Sequence, residues 1–152
     1  MATLHLMVGL PCSGKTTRAR KLEKEHNALL ISPDTWCEKL FGNDTASKAR
    51  EKNRDVIESI MWSHTSRVLQ LGIDVIWDSG YWTKAEREKN RIRAKEIGVN
   101  FKIHYMDVPV NELYKRLEKR NNETAAGALI ISKEEMDKYV SIFQPPDMEE
   151  LR

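Results

Sequence analysis

Residues 9–16 read GLPCSGKT and match the phosphate-binding pattern G-x-x-x-x-G-K-[ST] at every fixed position. The apolar run Leu4–Val8 before the pattern predicts a strand, and residues 16–25 after it predict a helix, which is the setting in which this pattern binds phosphates. The glycines let the backbone wrap closely around an anion, so that successive N–H groups and the helix N-terminus face it. In this arrangement Lys15 reaches the β- and γ-phosphates, and the Thr16 hydroxyl holds Mg²⁺. The predicted nucleotide-binding residues of the loop are Gly9, Leu10, Pro11, Cys12, Ser13, Gly14, Lys15, Thr16 and Thr17.

The composition is that of an ordinary globular protein. A length of 152 residues favours one domain over residues 1–152, and 40% of the residues are hydrophobic and 32% charged. The net charge of +2 is too small by itself to indicate a nucleic acid or membrane partner. We see no secretory leader, no apolar run that could span a bilayer, and no metal or disulfide pattern in Cys12 and Cys37. We therefore expect a cytoplasmic protein without membrane contact or an obligate protein partner.

The order of the predicted elements indicates an α/β fold with a parallel sheet and crossover helices. The predicted strands cover residues 4–8, 28–31, 74–77 and 101–106, and the predicted helices cover residues 16–26, 47–71, 84–97, 110–121 and 132–143, with a further helix opened by Ser32 and Pro33. The continuous apolar run at 28–31 predicts a strand buried on both faces. The predicted buried face of the longest helix consists of Ile57, Met61, His64, Val68 and Leu71, and core positions are expected for His5, His64 and His104.

Three polar features follow predicted strand ends, where parallel sheets bind their ligands: the phosphate loop, Asp34 and Asp78. Asp34 is the predicted base for an acceptor hydroxyl, although the helix dipole alone also favours an acid in a first helical turn. Asp78 is predicted to order the Mg²⁺ shell together with Thr16, and its alternative is a turn residue. Many phosphate-loop motors place a water-activating Glu where this chain has Ser79, and the sequence contains no guanine-selecting Asn-Lys-x-Asp, so ATP-dependent transfer is favoured.

Two arginines, Arg116 and Arg120, lie four residues apart at the border of the apolar side of the 110–121 helix. From this border their planar guanidinium groups can reach phosphate oxygens. The alternative is a solvated helix face on which Glu112 and Glu118 are their partners.

The 84–97 helix carries a basic stripe formed by Lys84, Arg87, Arg91 and Lys95. Such a stripe can follow a nucleic acid backbone, but interleaved acids are more typical of a solvated face. Arg87 lies nearest to the Asp78 loop and is a candidate substrate residue. Tyr81 and Trp82 in that loop either line an acceptor pocket or pack beneath it.

In combination, these motifs resemble a family of small P-loop kinases that includes the kinase domain of phage polynucleotide kinase, the chloramphenicol phosphotransferases and zeta-toxin-like proteins. The stretches that carry the resemblance are Gly9–Thr17, Ser32–Asp34, Asp78–Trp82 with Arg87, Asp107–Pro109, Arg116–Asn121 and Phe143–Pro146. The resemblance implies a P-loop NTPase fold with a four- to five-stranded parallel sheet, helices on both faces and a mobile lid at about residues 116–131. It also implies that Asp34 is the acceptor base and that Arg116 and Arg120 contact the triphosphate. Where the phage enzyme has an arginine three residues after the base, this chain has Cys37.

The leading hypothesis is therefore a kinase that uses ATP and Mg²⁺ and phosphorylates a hydroxyl. Its acceptor is a small molecule or the 5′ end of a polynucleotide, and the predicted catalytic residues are Lys15, Asp34, Arg116 and Arg120. The alternatives are a nucleotide-dependent switch protein with weak ATPase activity and a nucleic-acid-binding module that uses the basic stripe.

Overall fold

The sheet contains four parallel strands among the residues that the structure describes, as the element order predicts. The structure is a computed structural model that describes residues 1–42, 48–123 and 131–152, and only the backbone of residues 48–51. The strands are β1 (Thr3–Val8), β2 (Leu29–Ile31), β3 (Val75–Asp78) and β4 (Asn100–Tyr105), in the spatial order β2-β3-β1-β4. This order places β1 at the centre, so the loop that follows β1 lies beside the carboxyl end of β3.

Six helices occupy the described parts of the chain. They are α1 (Lys15–His26), α2 (Pro33–Phe41), α3 (Lys48–Gln70), α4 (Lys84–Glu96), α5 (Val110–Glu123) and α6 (Lys133–Ile142). Their ends follow the local signals in the sequence. Ser32 caps α2 by accepting a hydrogen bond from the Thr35 N–H, Pro33 takes the first helical position, and Gly72 follows α3 with a φ of 88°.

Helices cover both faces of the sheet. On one face, Met7 and Ile76 pack against Ala19 and Leu22 of α1. On the other face, the alternate strand residues pack against α3 and α4, in a core that contains Leu4, Leu6, Val75, Trp77, Ile57, Met61, Leu69 and Ala94. Leu113 and Leu117 of α5 form a third cluster with Leu10 and with Met136 of α6. The expected sheet with helices on both faces is therefore confirmed.

Two expectations about burial are wrong. Strand β2 is not buried on both faces, because it lies at the edge of the sheet beside β3, and Leu29 is 41% exposed. The buried face of α3 includes Thr65 rather than His64, which is exposed. Thr65 is drawn inward because its hydroxyl accepts a hydrogen bond from the buried Trp77 indole at 2.9 Å. Leu71, at the end of the predicted face, is also exposed.

The lid expected at about residues 116–131 lies partly outside the described residues, which omit 124–130. Among the residues that are described, none of the helices combines the length and the apolar character needed to cross a membrane.

Candidate active site

The phosphate loop connects the central strand to α1, and its backbone is shaped to hold an anion. Gly14 and Cys12 have φ values of 90° and 68°, in the left-handed region that lets successive N–H groups turn toward one side. A side chain at Gly9 would place its Cβ 2.6 Å from the Ser13 hydroxyl. Gly14 leaves the start of α1 without a side-chain cap, and the first turn contains no acid. The free N–H groups and the helix dipole therefore favour a bound phosphate.

A cavity of about 980 Å³ opens beside this loop. Its walls come from the phosphate loop, α2, α3, the segment after β3, and helices α4, α5 and α6. The lining residues used below are Lys15, Thr16, Asp34, Glu38, Arg54, Tyr81, Trp82, Glu86 and Arg120. The cavity thus contains most of the predicted site residues, from the phosphate loop to Asp34.

Thr16 and Asp78 meet as expected for a shared metal site. The Thr16 hydroxyl donates to Asp78 Oδ2 at 3.0 Å, which brings two oxygen ligands together beside the phosphate loop. Magnesium prefers oxygen ligands, so these two side chains fit that ion. Burial raises the pKa of Asp78 and lowers the pKa of Lys15, although Asp78 and Asp34 partly offset the second shift. Because both groups are poorly solvated, their electrostatic interactions are stronger than in water: that of Lys15 with phosphate and that of Asp78 with a metal ion.

Asp34 lies in the first turn of α2 and is held by two other elements. Its Oδ2 accepts a hydrogen bond from the Ser79 hydroxyl at 3.2 Å, and its Oδ1 lies 3.7 Å from Nε of Arg54 on α3. Arg54 Nη2 in turn donates to the Ser79 hydroxyl at 2.8 Å. The three side chains form a connected group, which we call the Asp34 triad. It fixes the direction of a carboxylate that lines the cavity.

Sequence reasoning missed Arg54 and the bridging role of Ser79. Arg54 belongs to no motif and lies within a long helix that is rich in charged residues. Its position next to Asp34 depends on how α3 packs against α2, which no local pattern specifies. The only sequence signal at Ser79 is that many phosphate-loop motors have Glu at this position.

Tyr81 and Trp82 line the cavity and also pack beneath it. Tyr81 has a φ of 46°, its ring lies 6.3 Å from that of Trp77, and its hydroxyl is buried with no hydrogen-bond partner among the described residues. Burial raises the pKa of this hydroxyl well above its usual value. The Trp82 indole donates to the Gly9 carbonyl at 3.1 Å, and its ring lies 4.6 Å from that of Tyr139 on α6. Trp82 therefore connects the phosphate loop to α6.

The two arginines of α5 differ in what they reach. Arg116 donates from Nη1 to the Cys12 carbonyl at 3.2 Å and from Nε to Glu112 at 3.3 Å, so it contacts the phosphate loop from the α5 side. Arg120 lines the cavity, with Nη1 at 4.0 Å from the Cys12 sulfur. The expected partner Glu112 is thus present, but both arginines also approach the loop.

Arg87 lies outside the cavity, although it contacts the backbone of Tyr81. It is only 1% exposed and pairs with both carboxylate oxygens of Glu150, at 2.9 and 3.3 Å, while Nη1 donates to the Tyr81 carbonyl at 3.1 Å. It is absent from the cavity lining. Two further cations of the basic stripe pair with acids, Lys84 with Asp147 and Arg91 with Glu88. These pairings fit the interpretation of the stripe as a structural and solvated face.

Known proteins similar to this chain include kinases. A shikimate kinase from Clostridium botulinum (strain 657 / Type Ba4) is 28% identical over 128 residues, which cover 78% of this chain and 67% of that protein. Among solved structures, a chain of the Pnkp1/Rnl/Hen1 RNA repair complex is 27% identical with a TM-score of 0.75, over 92% of this chain but only 43% of that one. This chain therefore spans less than half the length of that relative.

A second solved structure supports the fold. Chaetomium thermophilum Kti12 in complex with ADP-AlF3 has a TM-score of 0.72 at 24% identity, over 95% of this chain and 81% of that one. A family model described as an AAA domain (AAA_33) matches residues 4–146. Because that match covers nearly the whole sequence, the chain belongs to this family of P-loop kinases.

Proposed function

We propose that residues 1–152 form a single kinase domain that transfers the γ-phosphate of ATP to a hydroxyl of its acceptor, with Mg²⁺ as cofactor. The observation that supports this most strongly is the Asp34 triad, which turns a carboxylate toward the cavity that also contains the phosphate loop. A protein that only binds nucleotide has no need for an oriented base beside the phosphates. Kinase relatives and the P-loop family support nucleotide-dependent phosphoryl transfer in general.

The donor half of the proposed site binds ATP. The loop N–H groups and Lys15 hold the phosphates, and Arg120 lies on the cavity wall near them. Thr16 and Asp78 would hold Mg²⁺, which neutralises charge on the β- and γ-phosphates when it is bound. Arg116, which contacts the Cys12 carbonyl from α5, is proposed to contact the triphosphate as well.

In the proposed reaction, the acceptor hydroxyl oxygen attacks the γ-phosphorus and its proton passes to the Asp34 carboxylate. The bond between the γ-phosphorus and the bridging oxygen breaks, and ADP leaves with the electron pair of that bond. Ser79 and Arg54 hold Asp34 toward the cavity during this step.

The pairing of surface cations favours a small acceptor over a polynucleotide. Among the described residues that line the cavity, acids and bases balance: Asp34, Glu38, Glu86 and Glu135 against Lys15, Arg54, Arg120 and Lys138. The lining therefore offers a polynucleotide no excess of positive charge beyond what the ATP phosphates use. In addition, most of the basic stripe on α4 is paired with carboxylates and offers few free cations to a phosphate backbone. We therefore place a small molecule with a free hydroxyl first among the acceptors.

The test is transfer of label from γ-labelled ATP to a panel of nucleosides, sugars, aminocyclitols and 5′-hydroxyl oligonucleotides. The proposal predicts a labelled small molecule, formed only when both ATP and Mg²⁺ are present. Labelled oligonucleotide whose formation falls steeply as salt rises would indicate a polynucleotide acceptor instead. ATP consumption that no acceptor stimulates would favour the switch alternative and contradict the proposed transfer.

A further inference from the structure

Three of the four histidines gather at one place, although they are far apart in sequence. His5 lies on β1, His104 lies on β4, and His26 ends α1. Asp74, just before β3, joins them. The group lies beneath α1, at the end of the sheet that is away from the phosphate loop. It lies there because α1 runs from that loop toward the amino ends of the strands. The fourth histidine, His64, is exposed on α3.

The ligand atoms of His5, His26 and Asp74 all lie within 4.8 Å of one another. Asp74 Oδ2 is 3.1 Å from His5 Nε2 and 3.7 Å from His26 Nδ1. Around a tetrahedral zinc ion, neighbouring ligand atoms lie about 3.3 Å apart, given metal–nitrogen distances of about 2.0–2.1 Å. The observed distances of 3.1 and 3.7 Å are close to this spacing, and the His26 side chain, whose atom is the farther one, is exposed.

Hydrogen bonding between the histidines and Asp74 accounts for only part of this arrangement. A chain from His104 through His5 to Asp74 satisfies the His5 ring, with 2.9 Å between His5 Nδ1 and His104 Nε2. His26 is not included in that chain, since 3.7 Å is beyond hydrogen-bond range. Its ring nevertheless lies 4.9 Å from the His5 ring, and its Nδ1 lies 3.7 Å from the same carboxylate oxygen.

The supporting contacts are those of a metal site. A metal-binding histidine commonly donates its second ring N–H to a fixed acceptor, and here His5 Nδ1 can donate to His104 Nε2. A ligating carboxylate is also commonly hydrogen-bonded, and Asp74 Oδ1 accepts the Thr3 N–H at 2.9 Å. We propose that His5, His26 and Asp74 bind one divalent ion of the zinc class, with His104 orienting His5 from behind.

The donor set agrees with this assignment. Two imidazole nitrogens and one carboxylate are a common ligand set for zinc, and imidazole nitrogen favours zinc over magnesium. The bound ion would join the end of α1 to β1 and to the start of β3.

The test is a calorimetric titration of ZnCl₂ into the chelator-treated full chain, with excess Mg²⁺ present to occupy the phosphate-loop site. The proposal predicts one zinc ion per chain and an unfolding midpoint that rises with zinc concentration. His26→Ala and Asp74→Asn should each weaken zinc binding by at least about tenfold. His26 is exposed and the asparagine can still accept the Thr3 N–H, so both variants should fold. His64→Ala is the matched control and should bind zinc like the wild type.

Zinc affinity that is equal in the wild type and His26→Ala would overturn the proposal, as would absence of zinc binding. Binding that is lost in Cys12→Ala but retained in both cluster variants would assign the ion to the phosphate loop and would also overturn it. Phosphoryl transfer by zinc-free His26→Ala should match that of the wild type, because His26 contacts neither the cavity nor the loop.

Discussion

At the scale of single residues, the central feature is the setting of Asp34. An acid in the first turn of a helix is stabilised by the helix dipole wherever it occurs, so its position alone does not identify a base. Its two contacts distinguish it: the Ser79 hydroxyl at 3.2 Å and the Arg54 guanidinium at 3.7 Å approach from two other elements. A carboxylate held in this way keeps one orientation toward the cavity.

Ser79→Ala tests whether this orientation matters for catalysis. The substitution removes the bridge between Arg54 and Asp34 without adding volume. A hydrogen bond to a charged group contributes about 1.5–3 kcal/mol, so kcat should fall roughly 10- to 100-fold while the KM for ATP stays close to that of the wild type. Steady-state kinetics with the acceptor found in the panel measures both quantities.

Ser66→Ala is the control, since within the described part of the chain the Ser66 hydroxyl bonds only the Ser63 carbonyl of its own helix. It should leave kcat unchanged. If Ser79→Ala also leaves kcat unchanged, Asp34 does not depend on this contact and the proposed role of the triad is wrong.

At the scale of elements, the segment after α6 stabilises α4. Glu150 pairs with the buried Arg87, Asp147 pairs with Lys84, and Gln144 accepts the Lys84 N–H at 2.8 Å. Through Arg87, this segment is also connected to the carbonyl of Tyr81 in the cavity wall. Arg87 thus supports the site from outside it.

Glu150→Ala should therefore destabilise the protein strongly, because it leaves the Arg87 guanidinium buried without its counter-charge. Breaking one side of a buried ion pair costs about 3–5 kcal/mol. Urea denaturation measures the free energy of unfolding. Glu149→Ala, at an exposed neighbouring position, should change it by less than about 0.5 kcal/mol. Equal denaturation midpoints for the two variants would show that the buried pair contributes nothing.

The elements themselves could largely be predicted from the sequence. Strong local sequence signals mark β1, the phosphate loop and α1. Further signals mark the Ser32 cap of α2 and the glycine after α3. Burial was harder to predict, since it depends on neighbours: β2 is an edge strand, and Thr65 faces inward to meet the Trp77 indole. For the same reason, the role of Arg87 could not be predicted, because its partner Glu150 is 63 residues away.

At the scale of the whole molecule, the strand order brings the parts of the proposed site together. With β1 between β3 and β4, the phosphate loop lies next to Asp78, and β2 on the far side of β3 places Asp34 across from it. Sequence analysis predicted this convergence because it follows from a parallel sheet. It did not predict Arg54, which reaches the site through packing of α3 on α2, or the histidine cluster at the other end of α1.

The most direct test of the central claim compares the wild type with Asp34→Asn in two assays, ATP binding and transfer of labelled γ-phosphate to the acceptor. Asparagine keeps the size of the side chain but cannot take the hydroxyl proton. The account predicts an unchanged Kd for ATP and a kcat lower by about 10²–10⁴-fold, the usual contribution of a general base. Lys15→Ala, by comparison, should weaken ATP binding and transfer together. Transfer by Asp34→Asn at the rate of the wild type would contradict the account.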